Sequence, residues 1–187
     1  MADRSRRVYI AGPDIFMPDR LGILARKKAV CAQNGLEGIT PFDNEVPFDP
    51  NALRETAQKI YHGDRDIMLA CDWCIANASP FRGVSIDCGT AFEIGYMCAL
   101  GRTVFAYSVD PRPYAARVQA AQGDELVRAH TEGGWMMEDF ELLENLMIPF
   151  GVEDSGGEFF APGDAGESED ALFLRCVEGI TARLGAS

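Results

Sequence analysis

The sequence predicts an α/β protein: a parallel sheet of about five strands with helices on both faces. Three observations carry this. Short apolar runs recur along the chain, as buried strands do. Stretches with helical spacing separate them. Each run closes on glycine, proline or a polar loop, the pattern of a sheet covered on both sides.

The elements follow in order. Val8-Tyr9-Ile10-Ala11 reads as a first strand, ended by Gly12-Pro13. Leu21 to Asn34 carries Leu21, Leu24, Ala25, Lys28 and Cys31 in a helical row, stopped at Asn34-Gly35. Leu36 to Thr40 is a second strand, closed by Pro41. A loop rich in proline and acid, Asp43 to Pro50, precedes helical stretches over Asn51 to Ala70, with a possible break at Gly63. Trp73 to Asn77 is the third strand, and Ala78 to Asp87 is a loop. Thr90 to Leu100 is a helix stopped by Gly101, and Thr103 to Tyr107 is the fourth strand. Ser108 to Gly134 is polar, without a regular period, and reads as an insertion or flap. Glu138 to Met147 is helix-like, and Glu158 to Ala161 is a short fifth strand. Ser168 to Leu184 is a closing amphipathic helix capped by Ser168.

Size and charge narrow the function. The 187 residues fit one domain, 1–187, with no linker or repeat. The formal net charge of −12 argues against a phosphate-backbone partner such as DNA or RNA, and against an anionic membrane surface. No apolar stretch approaches the roughly 20 residues of a membrane span. Six cysteines without a secretory signal point to reduced thiols and a cytoplasmic location. Cys71 and Cys74 form a C-x-x-C, but no second ligand pair is suitably spaced, so packing is preferred to metal or redox chemistry.

Ligands of an open parallel sheet bind at the C-terminal strand ends. Tyr9, Asp72, Asp87 and Glu93 are expected to converge there on one edge of an apolar sheet. Glu93 has a structural reading: Thr90-x-x-Glu93 spells a capping box, with Thr90 as the cap. It also has a chemical one, since a first-turn carboxylate tends to stay ionised and glycosyl transfer needs such a nucleophile. Asp87 reads equally as a loop cap, Asp72 as a residue preceding a strand, and Tyr9 as core.

Tyr9-Ile10-Ala11-Gly12-Pro13, Ser79-Pro80-Phe81-Arg82-Gly83 and Asp87-Cys88-Gly89-Thr90-Ala91-Phe92-Glu93-Ile94-Gly95 resemble the motifs of the nucleoside 2-deoxyribosyltransferases. The resemblance runs from about Val8 to Tyr107 and resumes at Asn145-Leu146-Met147. It implies a flavodoxin-like doubly wound sheet and exchange of the base on a 2′-deoxyribose. It makes Glu93 the nucleophile and Tyr9 the residue that places it, with Asp72 near the base and Asp87 holding the sugar. Gly12, Pro13, Phe16, Ser79, Phe81 and Gly89 become substrate-binding positions. Asn145 and Met147 are implied to enter a neighbouring subunit's site, hence a homo-oligomer with shared sites. The chain departs from the family pattern in its length, through Ser108 to Gly134 and Gly151 to Glu169. It also carries Asp64-Arg65-Asp66 where an amide-bearing residue is expected.

The implied chemistry is a double displacement on 2′-deoxynucleosides and free nucleobases, with Asp72 as first candidate for proton donor and Asp87 as its rival. No metal or organic cofactor is needed. The alternatives are hydrolysis of a 2′-deoxynucleoside 5′-monophosphate, with Arg82 and Ser85 as phosphate donors, and a non-catalytic nucleotide-binding module.

Overall fold

A computed structural model of the chain describes residues 6–122, 137–163 and 166–186. Five strands, β1 (Arg7–Ala11), β2 (Glu37–Ile39), β3 (Trp73–Asn77), β4 (Thr103–Tyr107) and β5 (Phe159–Phe160), form one sheet in the order β2-β1-β3-β4-β5. All neighbouring pairs are parallel. This is the flavodoxin-like order, and its switch point lies between β1 and β3.

Side-chain alternation along each strand feeds two cores. Val8, Ile10, Ile75, Phe105 and Tyr107 pack against α1 (Arg20–Gln33) and the last helix, α6 (Glu169–Gly185). Tyr9, Ala11, Cys74, Ala76, Val104 and Ala106 face the other way, toward α2 (Leu53–Leu69), α3 (Cys88–Ala99) and α5 (Met147–Asp154). Burial on both faces explains why the strands read as unbroken apolar runs. The Ser168 hydroxyl accepts from the Ala171 N–H, capping α6 as its sequence predicts.

Several elements differ from expectation. Gly63 does not break α2, which is continuous. A Cβ there would lie 2.0 Å from the Asn44 amide nitrogen, so glycine lets Asn44 cross the helix. Tyr114–Gln122, inside the segment expected to be irregular, is a helix, α4, with Ala115 and Val118 buried. Residues 123–134 of that segment lie outside the described residues. Residues 138–146 are not helical, and α5 begins at Met147, where the helix was expected to end. Cys71 and Cys74 are buried and free, and burial pushes the Cys71 thiol up to about 12. No described helix is long and apolar enough to cross a membrane.

Candidate active site

The C-terminal sheet edge next to the α2/α3 face holds a cavity of about 330 Å³ lined by Ala57, Ile60, Tyr61, Asp64, Met68, Gly89, Phe92 and Glu93. A second hollow of about 320 Å³ shares Ile60 and Asp64 and adds Ile15, Phe16, Pro41, Phe42, Asn44 and Val46. The two meet at Ile60 and Asp64 and form a groove with apolar walls and two carboxylates, Asp64 and Glu93, the composition of a small-molecule site.

Glu93 lies in the second turn of α3. Tyr9, fully buried in the middle of β1, donates its hydroxyl to Glu93 Oε1 at 2.5 Å. The strand is rigid and the helix packs against it, so the carboxylate is held in one orientation. Burial, opposed by the Tyr9 hydrogen bond and reinforced by the nearby charges of Asp64 and Asp87, raises the Glu93 pKa to about 7. Burial, reinforced by Glu93, puts the Tyr9 hydroxyl well above the ordinary phenol range, so it remains a donor.

The capping box is not formed. Asp87 is the N-cap of α3, and its side chain accepts from the Thr90 N–H at 3.1 Å. Thr90 lies inside the helix, and Glu93 is free to bond Tyr9 instead. Asp87 therefore does what its alternative reading proposed, two residues before Gly89 of the cavity lining.

Asp72 is not in this site. Its N–H donates to the Arg7 carbonyl, at the N-terminal ends of β1 and β3, and its carboxylate is paired with the Arg102 guanidinium. It therefore sits at the sheet edge opposite to the loops that carry Gly12, Ser79 and Asp87. A residue immediately before a strand marks that strand's N-terminal end, so the expectation that Asp72 faces Glu93 fails on topology.

Asp64 occupies the place expected of Asp72. It lines both hollows, and its charge raises the Glu93 pKa. Its own carboxyl is raised by burial, against a hydrogen bond from the Asn44 amide at 3.3 Å. The sequence does contain the signal. Ile60, Asp64 and Met68 stand at i, i+4 and i+8, which puts an acid on the inward stripe of an amphipathic helix.

The remaining expected positions divide. Gly12 adopts φ +152°, and a Cβ there would lie 2.8 Å from Asn77 Cβ, so the β1 loop turns tightly over β3. Pro13 starts the short 3₁₀ turn that presents Phe16. Phe16 stacks on Phe81 at 5.5 Å, joining the β1 and β3 loops, and Arg82 lies over both rings. Ser79 is buried and accepts from the Val109 N–H, so it ties the β3 and β4 loops together. Gly89 lines the cavity beside Glu93. Asn145 and Met147 do not line that cavity: the Asn145 side chain donates to Glu138 and accepts from the Met147 N–H, and Met147 is 70% exposed. Among the described residues no group of three or more His, Cys, Asp or Glu could hold a metal ion.

Beneath the β1 loop lies a polar cluster that the sequence does not announce. Lys27, 2% exposed, donates to Asp14 at 2.7 Å, to the Tyr107 hydroxyl at 2.7 Å and to Glu169 at 2.8 Å. Asn77 donates to Asp14 and to Glu169. The cluster anchors Pro13–Phe16 to α1, α6 and the ends of β3 and β4.

Comparison with known proteins shows the family and the fold. Residues 8–147 match the family described as nucleoside 2-deoxyribosyltransferase. The chain is 33% identical over 194 residues to uncharacterized protein C191.05c of Schizosaccharomyces pombe, covering 96% of this chain and 90% of that protein. It is 31% identical, with a TM-score of 0.60, to a 2-desoxiribosyltransferase from Leishmania mexicana, covering 92% and 97% of the two chains. A conserved protein from Enterococcus faecalis V583 has the same fold, with 24% identity, a TM-score of 0.61 and coverage of 95% and 98%.

Proposed function

The chain belongs to the nucleoside 2-deoxyribosyltransferase family, and from that footing we propose that it transfers 2-deoxyribose between nucleobases through a covalent glycosyl-Glu93 intermediate. The observation that carries the reading is the Glu93 carboxylate, partly buried, held by Tyr9 and facing an apolar groove with a second carboxyl, Asp64.

Glu93 attacks the anomeric carbon as the bond from that carbon to the base nitrogen breaks. The bonding pair leaves with the base, which takes a proton from Asp64. A second base then attacks the glycosyl-Glu93 ester from the vacated face, and Asp64 takes back the proton that base gives up. Two inversions give retention. Two carboxyls in one low-dielectric pocket do not both ionise easily, so a single shared proton is the favoured state near neutral pH. Transfer uses the arrangement in which that proton stands on Asp64 and the Tyr9 hydroxyl stabilises the anion on Glu93. The aromatic pair Phe16 and Phe81 offers a flat wall for a planar base.

Hydrolysis of a 5′-monophosphate is the weaker reading. The N-terminus of α3 is the natural anion site at this edge, and the Asp87 carboxylate already occupies it. Ser85 donates its hydroxyl to Glu144, and Arg82 is stacked on Phe16 and Phe81. With Asp64 and Glu93 lining the pocket and Asp87 near enough to raise the Glu93 pKa, a phosphate meets like charge.

The reading includes shared sites in a homo-oligomer. Tyr61, Phe92 and Tyr96 form a chain of ring contacts on the outer face of α2 and α3, directly beside the cavity, and Tyr61 and Phe92 are about half exposed. Such a patch is the kind of surface a second subunit covers. The test incubates one 2′-deoxynucleoside with and without a second free base. Transfer yields a new deoxynucleoside only with the acceptor. Equal release of free sugar in both supports hydrolysis instead.

A further inference from the structure

Glu144 is fully buried and accepts four hydrogen bonds. Its Oε1 accepts from the Ser85 hydroxyl at 2.6 Å and the Asn145 N–H at 3.0 Å. Its Oε2 accepts from the Ile86 N–H at 3.0 Å and the Arg117 guanidinium at 2.9 Å. Arg117, 2% exposed in its side chain, also donates to the carbonyls of Val84 at 2.8 Å and Arg112 at 2.7 Å. The pair thus grips Val84, Ser85 and Ile86, the three residues immediately before Asp87. The same carboxylate holds the backbone of Asn145, whose side chain receives the Met147 N–H.

A carboxylate with four donors has no lone pair left for a ligand. It is also remote from proton transfer, since it lines neither hollow of the groove. What it can do is fix backbone. We propose that Glu144 is a positioning residue: with Arg117 it holds the loop that delivers Asp87 to the sugar, and it locks that loop to the Asn145–Met147 segment. The inference rests on the deoxyribosyl-transfer reading and on the sugar-holding role that the family resemblance implies for Asp87. A consequence is that disorder at α4 reaches the site of its own subunit through Asp87 and the neighbouring site through Asn145.

Glu144→Gln tests this, because an amide nitrogen then faces two donors whichever way the side chain turns. The expected result is a KM for 2′-deoxyadenosine raised about tenfold, with kcat changed less than about threefold. The KM for the free acceptor base is unchanged. In a Glu93→Gln background, the dissociation constant for 2′-deoxyadenosine, read by calorimetry, weakens by the same factor. The losses from Glu144→Gln and Asp87→Asn combine to less than their product, since both act on one contact. Ser85→Ala, which removes one donor and keeps the Arg117 pair, raises KM about threefold and covers the case in which Glu144→Gln does not fold. Unchanged KM in Ser85→Ala, fully multiplicative losses, or an equal fall of kcat for every substrate overturns the proposal. A wild-type protein that neither binds nor cleaves the nucleoside overturns the transfer reading beneath it, and so the proposal too. Normal wild-type transfer with unaffected variants overturns the proposal alone.

Discussion

Tyr9 and Glu93, 84 positions apart in sequence, meet through a 2.5 Å hydrogen bond in which the phenol donates to the carboxylate. The bond crosses from the most buried part of the sheet to the helix that follows the pocket loop. Among the described residues it is the interaction that favours the anion of Glu93 against burial and against Asp64 and Asp87.

Removing that hydroxyl should therefore act through proton affinity. Tyr9→Phe raises the Glu93 pKa above its value of about 7, so less nucleophile is ionised at neutral pH. The expected kcat/KM loss at pH 7 is roughly 30-fold. The ascending limb of kcat/KM against pH, centred near 7 in the wild type, moves to higher pH. A loss of the same size at every pH would mean that Tyr9 only positions the helix.

Glu93 also costs stability. Its folded-state pKa is about 7 against an ordinary 4.5. The folded state holds the proton more tightly than the unfolded chain. The associated stability is fully present below pH 4.5 and is lost as pH rises through about 7. Allowing for solvent at the pocket mouth, the ionised form costs about 2 kcal/mol at pH 8. Glu93→Gln should raise Tm by about 4–8 °C at pH 8 and by far less at pH 5. A gain of equal size at both pH values would contradict the burial argument.

Asp64 and Asp72 separate by leaving group. Asp64→Asn should damage nucleosides with poorly leaving bases about 100-fold or more, and an activated substrate whose base leaves unprotonated far less. Asp72→Asn leaves the reaction within a few-fold and removes only the ion pair with Arg102, a loss of about 1 kcal/mol by thermal melting. The reverse ranking would return the proton to Asp72.

The Lys27 cluster gives a stability prediction. Lys27→Met strips the cation from buried Asp14 and from Glu169. Uncompensated burial of Asp14 should cost roughly 3–5 kcal/mol in denaturant unfolding. Activity per folded molecule should fall as well, because Asp14 holds the turn that carries Phe16. Full activity in the folded variant would detach the cluster from the site.

The strands were legible because burial on both faces keeps their central positions apolar and confines polar residues such as Arg7, Glu37, Asn77 and Thr103 to their ends. Glu93, Tyr9 and Asp87 were legible because their motifs sit where loops leave the sheet. Asp64 was harder to see, since Asp64-Arg65-Asp66 resembles a solvated charge run and only its register with Ile60 and Met68 turns it inward. α4 escaped notice because Tyr114–Gln122 is rich in small and polar residues, so its buried side makes no broad apolar stripe. Glu144 carries no local mark. Its importance comes from donors on three separate segments, a matter of tertiary structure.

The most direct test of the central claim is the mass of the protein itself. The wild type is mixed with a 2′-deoxynucleoside without acceptor, quenched in acid within a fraction of a turnover and digested. The account predicts a peptide containing Glu93 that is heavier by one deoxyribosyl group, absent from Glu93→Gln and lost when free base is added before the quench. Base release by the wild type without any such adduct, or an adduct on another residue, would contradict it.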